Sequence, residues 1–210
     1  MNIMDLDDKK SALIRKLADK GYLKSGRVIK ALREVPREEF VSPGDREHAY
    51  MDEPLQIGSG QTISAPHMVA IMTELLEPRR NDNVLEVGAG SGYQAAILSM
   101  LVKKVFSVEL LPELAALARG NLKKAGVSNV EVIQGDGSGG LPEHAPYDKI
   151  IVTCGTDRLY PEWNEQLKEG GIILAPVDAG NYQDLVLARK RSGKLKERKV
   201  LECAFVPLRH

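Results

Sequence analysis

At 210 residues the chain is long enough for one domain with a full hydrophobic core. Lys+Arg and Asp+Glu both number 29, so the formal net charge is zero, which argues against a dedicated nucleic-acid binder. No stretch has the apolar length of a secretory signal or a membrane span, so a cytoplasmic protein without a membrane partner is expected.

In chain order, residues 7–19 show helical periodicity through Leu13, Ile14 and Leu17, with Gly21 as the stop. A second helix is predicted from Ser25, as N-cap, through Val28, Ile29 and Leu32 to Pro36. Residues 37–41 start a third short element, closed by Pro43 and Gly44, so residues 1–50 read as a helical cap. Residues 50–64 hold Pro54, Gly58, Ser59 and Gly60 around the isolated anchors Leu55 and Ile57. They read as a long loop with little structure of its own, and such loops in compact domains tend to be functional. A helix follows Ala65 and Pro66, with Met68, Val69, Ile71, Met72 and Leu75 on its apolar face and Pro78 as its stop.

Val84, Leu85 and Val87 then form a short apolar run that reads as a buried strand, followed by Gly88, Gly90 and Gly92 and a helix over residues 93–101. The pattern continues with strands over 102–109, 130–134, 147–153 and 172–177. Between them lie a helix over 114–125 and the end of another over 163–168, stopped by Gly170 and Gly171. Residues 185–191 and 200–206 face each other across Ser192 and Gly193 as a terminal hairpin. The expected fold is α/β: a doubly wound, mostly parallel, Rossmann-like sheet with a C-terminal antiparallel hairpin, preceded by the helical cap. Lys190, Arg191, Lys194, Lys196, Arg198 and Lys199 are placed at the hairpin tip and read as a solvated edge rather than a nucleic-acid patch. Cys154 and Cys203 are far apart, make no metal spacing and are expected as free buried thiols.

A strand that turns through glycines into a helix brings bare backbone N–H groups to a ligand. A dinucleotide fingerprint wants a third glycine where Tyr93 stands, which disfavours a nicotinamide dehydrogenase. The G-x-G-x-G spacing, with Glu86 inside the strand, resembles the first motif of S-adenosylmethionine-dependent methyltransferases; taken alone it also fits an ordinary tight turn. Glu109 closes the second strand, 21 residues beyond Gly88 (109 minus 88), where a carboxylate can accept both hydroxyls of a ribose. Gly135, Asp136 and Gly137 end the third strand and suit an adenine amino group, or a plain Asp-Gly turn.

Over nearly its whole length the chain resembles the protein-L-isoaspartate O-methyltransferases. The likeness rests on Val35-Pro36-Arg37-Glu38-Glu39-Phe40-Val41, Ala49-Tyr50, Asp52 and Pro54-Leu55-Gln56-Ile57-Gly58. It continues through Gly60-Gln61-Thr62-Ile63-Ser64-Ala65-Pro66-His67-Met68, Leu85-Glu86-Val87-Gly88 to Gly92-Tyr93, Gly135-Asp136-Gly137 and Phe205-Val206-Pro207-Leu208. The resemblance implies one methyltransferase domain over residues 1–210: cap 1–50, substrate loop 51–67 and Rossmann-like core 68–210. It implies S-adenosylmethionine as co-substrate, with Glu86, Gly88, Gly90, Gly92, Glu109, Gly135, Asp136 and Gly137 at its site. It implies methyl transfer to the free carboxylate of L-isoaspartyl residues, and more poorly D-aspartyl ones, in damaged proteins. The ester then closes to a succinimide, and hydrolysis returns some normal aspartate. A monomer with protein partners is expected.

By the same resemblance Ser64 is the active-site serine, its hydroxyl donating to the substrate carboxylate; from the residues alone the N-cap of the next helix is the favoured reading. Thr62 and Ile63 shape the pocket, and His67 either touches the cofactor or packs in the first helical turn. One departure is visible: the family's pair of alanines and proline after Val152-Thr153 is replaced by Cys154-Gly155-Thr156-Asp157, on the substrate side. A substrate carboxylate is already ionised near neutral pH, so no general base is needed, and His48, His67, His144 and His210 are scattered. The rival readings are a methyltransferase acting on RNA or a small molecule, and a non-catalytic recognition module.

Overall fold

The computed structural model describes residues 5–210. The Asp5 carboxylate accepts the Leu6 N–H and starts α1 (Leu6–Asp19), which buries Leu13, Ile14 and Leu17. Helix α2 (Gly26–Glu34) buries Val28, Ala31 and Leu32 in the same cluster. Ser25 stands at its N-cap, but its hydroxyl makes no capping bond. The Glu74 carboxylate serves that end instead, accepting the N–H groups of Lys24 and Ser25 at 2.9 and 2.8 Å. Two short 3-10 turns, Arg37–Glu39 and Pro43–His48, complete the cap.

Residues 50–64 are more ordered than the sequence suggests. They contain an antiparallel hairpin of β1 (Leu55–Gly58) and β2 (Gln61–Ile63). Ser59 and Gly60 both take positive φ, +53° and +71°, the geometry of the tight turns that match strand twist. The strands are four and three residues long, too short for alternation to stand out among Pro, Gly and polar residues. The chain then enters α3 (Pro66–Leu76).

The core alternates as expected: β3 (Asn83–Val87), α4 (Tyr93–Ser99), β4 (Lys104–Glu109), α5 (Pro112–Lys124), β5 (Val130–Gln134), β6 (Tyr147–Val152), α6 (Pro161–Gln166) and β7 (Leu167–Asp178). With β8 (Gln183–Arg191) and β9 (Lys194–Cys203) these strands form one sheet in the order β5-β4-β3-β6-β7-β8-β9. The pairs among β3 to β7 are parallel and the last two antiparallel. From β3 the chain steps outward through β4 and β5, then returns to β6 and steps the other way. Right-handed crossovers therefore put α4 and α5 on one face and α6 on the other. The reversal leaves a crevice at the carboxyl ends of β3 and β6. Leu85, Phe106 and Ile150 lie side by side on the α6 face, while Glu86, Ser107 and Ile151 point to the α4 face.

Two boundaries differ from expectation. Gly170 and Gly171 do not stop a helix, since α6 ends at Gln166 and Leu167 already belongs to β7. Gly170, at φ +78°, instead bends β7 where its register against β6 shifts between Tyr147 and Lys149. In the terminal hairpin, Ser192 and Gly193 form the turn as predicted, but the return strand begins at Lys194 rather than at residue 200. Its outer residues are charged because it is an edge strand, so apolar content did not mark it. The basic residues thus run along both strands rather than cluster at the tip. Lys190 donates to the carbonyls of Asn164 and Leu167 at 2.5 and 2.8 Å, and Lys199 pairs with Asp184 at 2.7 Å. Cys154 is a free buried thiol, as expected; Cys203 is free but only half-buried.

Trp163, on α6, is fully buried and donates its indole N–H to the Gly137 carbonyl at 2.9 Å. That bond ties the opposite face of the sheet to the rim of the crevice. Trp163→Phe keeps an aromatic ring but removes the donor and part of the buried volume, and should lower unfolding free energy by at least about 1–3 kcal/mol in urea titration. Trp163→Ala also leaves a cavity and should cost about 3–5 kcal/mol.

Candidate functional site

Three backbone features shape the crevice. Gly88 leaves β3 at φ +95°, and a Cβ there would meet Thr153 Oγ1 at 2.7 Å. Gly92 starts α4 at φ +87° with Leu122 and the Ala118 backbone 3.2–3.4 Å from where its Cβ would stand. Both positions demand glycine, one for the close strand-to-loop approach and one for helix packing. Between them, Gly90 offers its N–H to Glu109, whose Oε2 accepts it at 2.8 Å while Oε1 accepts Leu111 N–H at 3.1 Å. Glu109 therefore clamps the glycine loop to the end of β4 and still lines the cavity.

The sequence-predicted residues divide. Gly88, Gly90, Glu109, Gly137, Thr62, Ile63 and Ser64 all line the crevice. Glu86 does not: the pleat turns it to the α4 face, where it is fully buried beside Ser107, whose hydroxyl donates to it. Its Oε1 has no partner among the described residues. Burial pushes the Glu86 carboxyl up to about 8; the Glu109 charge adds to this and the Ser107 bond opposes it. Gly92 packs against α5 rather than facing the cavity, and Gly135 lies outside its wall, donating its N–H to the Glu109 carbonyl at 2.9 Å. Asp136 turns its carboxylate to the Ser138 N–H at 2.8 Å and toward His210 Nδ1 at 3.6 Å. It caps the 3-10 turn Gly137–Gly139 and is not part of the cavity wall. Burial would raise its pKa, but the Ser138 and His210 interactions prevail and hold it below the ordinary value.

His67 lies outside the glycine crevice as well, in an adjoining cavity with Pro54, Met68 and Phe205. Its ring is not isolated, as its position in the sequence implied: Nδ1 sits 2.9 Å from Asp52 Oδ1, and the His67 backbone N–H donates to the same oxygen at 2.9 Å. Desolvation works against the Asp52 charge, yet these His67 bonds keep its carboxyl below the ordinary range. Asp52 thus supplies the missing cap of α3. The N-cap position is Ala65, which has no side chain to offer, so Ser64 does not cap the helix. Thr62, Ser64, Thr153 and Val206 line both cavities, which meet at these residues.

The remaining wall carries weak sequence signals. Leu110, Leu111 and Leu114 make an apolar side just past Glu109, and Tyr93 and Gln94 form the floor. Their apolar or helical setting reads as plain core. Val206, Pro207, Leu208 and Arg209 close the far side, held by Gly155 N–H to Val206 O at 2.8 Å and Leu208 N–H to Gly155 O at 2.6 Å. Cys154, within the departing stretch, faces the glycine turn; burial, helped by Glu109 and Glu86, pushes its thiol up to about 12. It is a packing thiol, not a nucleophile. Among the described residues no group of His, Cys, Asp and Glu could hold a metal ion.

The family model for protein-L-isoaspartate(D-aspartate) O-methyltransferase matches residues 8–210. A Methanopyrus kandleri protein-L-isoaspartate O-methyltransferase is 51% identical over 212 residues, covering 96% of this chain and 94% of the relative. A Pyrococcus abyssi protein of the same name is 46% identical over 208 residues, covering 98% and 96%. A solved protein-L-isoaspartate O-methyltransferase superposes with TM-score 0.84 at 32% identity, covering 94% of this chain and 65% of that one. A Plasmodium falciparum structure in complex with S-adenosyl-L-homocysteine shares the fold at TM-score 0.84 and 22% identity, covering 94% and 97%.

The raised Glu86 pKa sets a pH test. The ordinary value is 4.5 and the folded value about 8, so between them the unfolded chain binds fewer protons than the folded one. Stability contributed below pH 4.5 is lost as pH rises through 8, by about 1.4 kcal/mol per pH unit within that window. Glu86→Gln removes this slope. The variant should gain on the parent steadily from pH 5 to about 8 in chemical unfolding, then run parallel; parallel curves throughout would show an ionised Glu86.

Proposed function

The chain belongs to the protein-L-isoaspartate(D-aspartate) O-methyltransferase family, and from that premise we propose how its own residues carry the reaction. It is a methyltransferase that uses S-adenosylmethionine and acts on L-isoaspartyl carboxylates of damaged proteins, the first step of their repair. When bound, the co-substrate supplies an electrophilic methyl group on a sulfonium.

The residues present fit such a group. An apolar wall of Leu110, Leu111 and Leu114 suits adenine, and Glu109 lies at the strand end where ribose hydroxyls can be accepted. Gly88 and Gly90 expose backbone with no Cβ to block approach. In our assignment Glu109, Gly88, Gly90 and Gly137 hold the co-substrate. Glu86, Gly92, Gly135 and Asp136 support that wall from behind: Glu86 as a buried neutral partner of Ser107, Asp136 as the cap of the turn bearing Gly137. Our reading is one methyltransferase unit, with cap 1–50, of which residues 1–4 lie outside the described residues, substrate loop 51–67 and core 68–210. We propose that it works as a cytoplasmic monomer, on protein rather than nucleic acid. Zero formal charge favours this, and among the described residues no helix is long and apolar enough to cross a membrane.

The single observation that carries the mechanism is that Ser64 lines both cavities at once. A carboxylate entering from the adjoining cavity passes Ser64 as it approaches the crevice. Its oxygen is already ionised, so no proton need be removed. The hydroxyl donates to one carboxylate oxygen and leaves the other turned toward the methyl donor. Positioning of this kind can lower a barrier by about 7–11 kcal/mol in well-oriented cases. Thr62 and Ile63 fix the hairpin edge, and His67, held by Asp52, lines the adjoining cavity.

Ser64→Ala should lower kcat/KM for an isoaspartyl peptide about 10- to 150-fold, the equivalent of about 1.5–3 kcal/mol for one hydrogen bond to a charged group. Affinity for S-adenosylhomocysteine, read by calorimetry, should stay at the parent level. Parent turnover in this variant would remove Ser64 from the mechanism.

A further inference from the structure

Arg37 has no part in the chemistry above, yet its side chain is fully buried. Its hydrogen bonds go to backbone carbonyls rather than to a carboxylate: Nε donates to Ala49 O at 2.8 Å and Nη2 to Ser64 O at 2.8 Å. Nη1 has no partner among the described residues. The guanidinium carbon lies 4.9 Å over the Tyr93 ring, and Tyr93 is part of the crevice floor. Burial lowers the guanidinium pKa, with Tyr93 and Tyr50 opposing.

Burying a cation without an acidic partner is costly, and an apolar side chain of like volume would join the cap to the hairpin equally well. What such a side chain cannot do is hold two carbonyls in a rigid planar fork. One of those carbonyls belongs to Ser64. Three residues further on, the His67 N–H is fixed by Asp52. The backbone of Ser64 is therefore held on its own carbonyl and again at the start of α3, and both anchors come from the residues before the hairpin.

We propose that Arg37 is a positioning residue for methyl transfer: it fixes the Ser64 backbone against the Tyr93 side of the crevice, so the hydroxyl keeps one direction as peptide enters. This rests on Ser64 as the residue that orients the substrate. Arg37 acts only through Ser64, so its loss matters only while the Ser64 hydroxyl is present.

The test is a double-mutant cycle on the full chain with Arg37→Met, Ser64→Ala and the pair, reading methyl-ester formation on an isoaspartyl peptide. S-adenosylhomocysteine affinity is measured alongside. Arg37→Met is expected to lower kcat/KM at least about tenfold while that affinity changes less than about threefold. In the Ser64→Ala background the same change should alter kcat/KM less than about twofold. Arg37→Lys, which reaches one carbonyl at a time, should recover part of the loss, and it carries the cycle if Arg37→Met does not fold. Fully additive losses, or a parallel fall in S-adenosylhomocysteine affinity, would make Arg37 a structural tie and overturn the proposal. Parent turnover in Ser64→Ala alone would overturn the Ser64 reading itself, a distinct outcome.

Discussion

One carboxylate holds the crevice in shape. Glu109 ends β4 and accepts the Gly90 N–H on one oxygen and the Leu111 N–H on the other. Through these bonds the glycine loop after β3 and the chain after β4 are fixed to one another. Charge-assisted bonds from backbone amides are short and directional, so the loop keeps its outline without side chains of its own. Most of the crevice geometry is measured from this point. The apolar wall follows Glu109 by one to five residues, the floor follows Gly90 by three and four, and Gly135 donates to the Glu109 carbonyl.

A second carboxylate nearby has a different fate for a simple reason. Glu86 and Glu109 belong to adjacent parallel strands, and Glu86 lies directly opposite Ser107, two residues before Glu109. Glu109 reaches two amides at the carboxyl end of β4, whereas Glu86 lies inside with one hydroxyl. The low-dielectric interior disfavours a second charge beside the first. The pair thus resolves into one carboxylate at the crevice wall and one neutral acid that fills a polar gap.

The substrate side is organised by displaced caps. Ala65 offers no side chain to α3, and Asp52 reaches across to do the capping. Glu74 does the same for α2, where Ser25 makes no capping bond. In both places a serine near a helix start is released from the backbone bond that local sequence assigns to it. For Ser64 that release matters, because the residue stands where two cavities join. Arg37 and Asp52 then hold the segment from outside, so the hydroxyl need not be part of the scaffold.

By itself the sequence determined the alternation of strands and helices, the glycine turn, Glu109 at the end of the second strand and the terminal hairpin with its Ser192-Gly193 turn. These follow from period, spacing and turn chemistry, which are local properties. Tertiary structure decided what depends on partners far along the chain. The pleat sent Glu86 inward although it stands two residues before Gly88. A 3-10 turn drew the Asp136 carboxylate to the Ser138 N–H as its cap. The hairpin in residues 50–64 formed because pairing across a tight turn orders strands too short to show a period. Edge position gave β9 a charged sequence that hid its start. The Asp52–His67 pair, the Arg37 fork and the tail across the crevice join residues 12 to more than 50 positions apart. No single stretch of sequence encodes such contacts; they exist only once the sheet has set the distances between its ends.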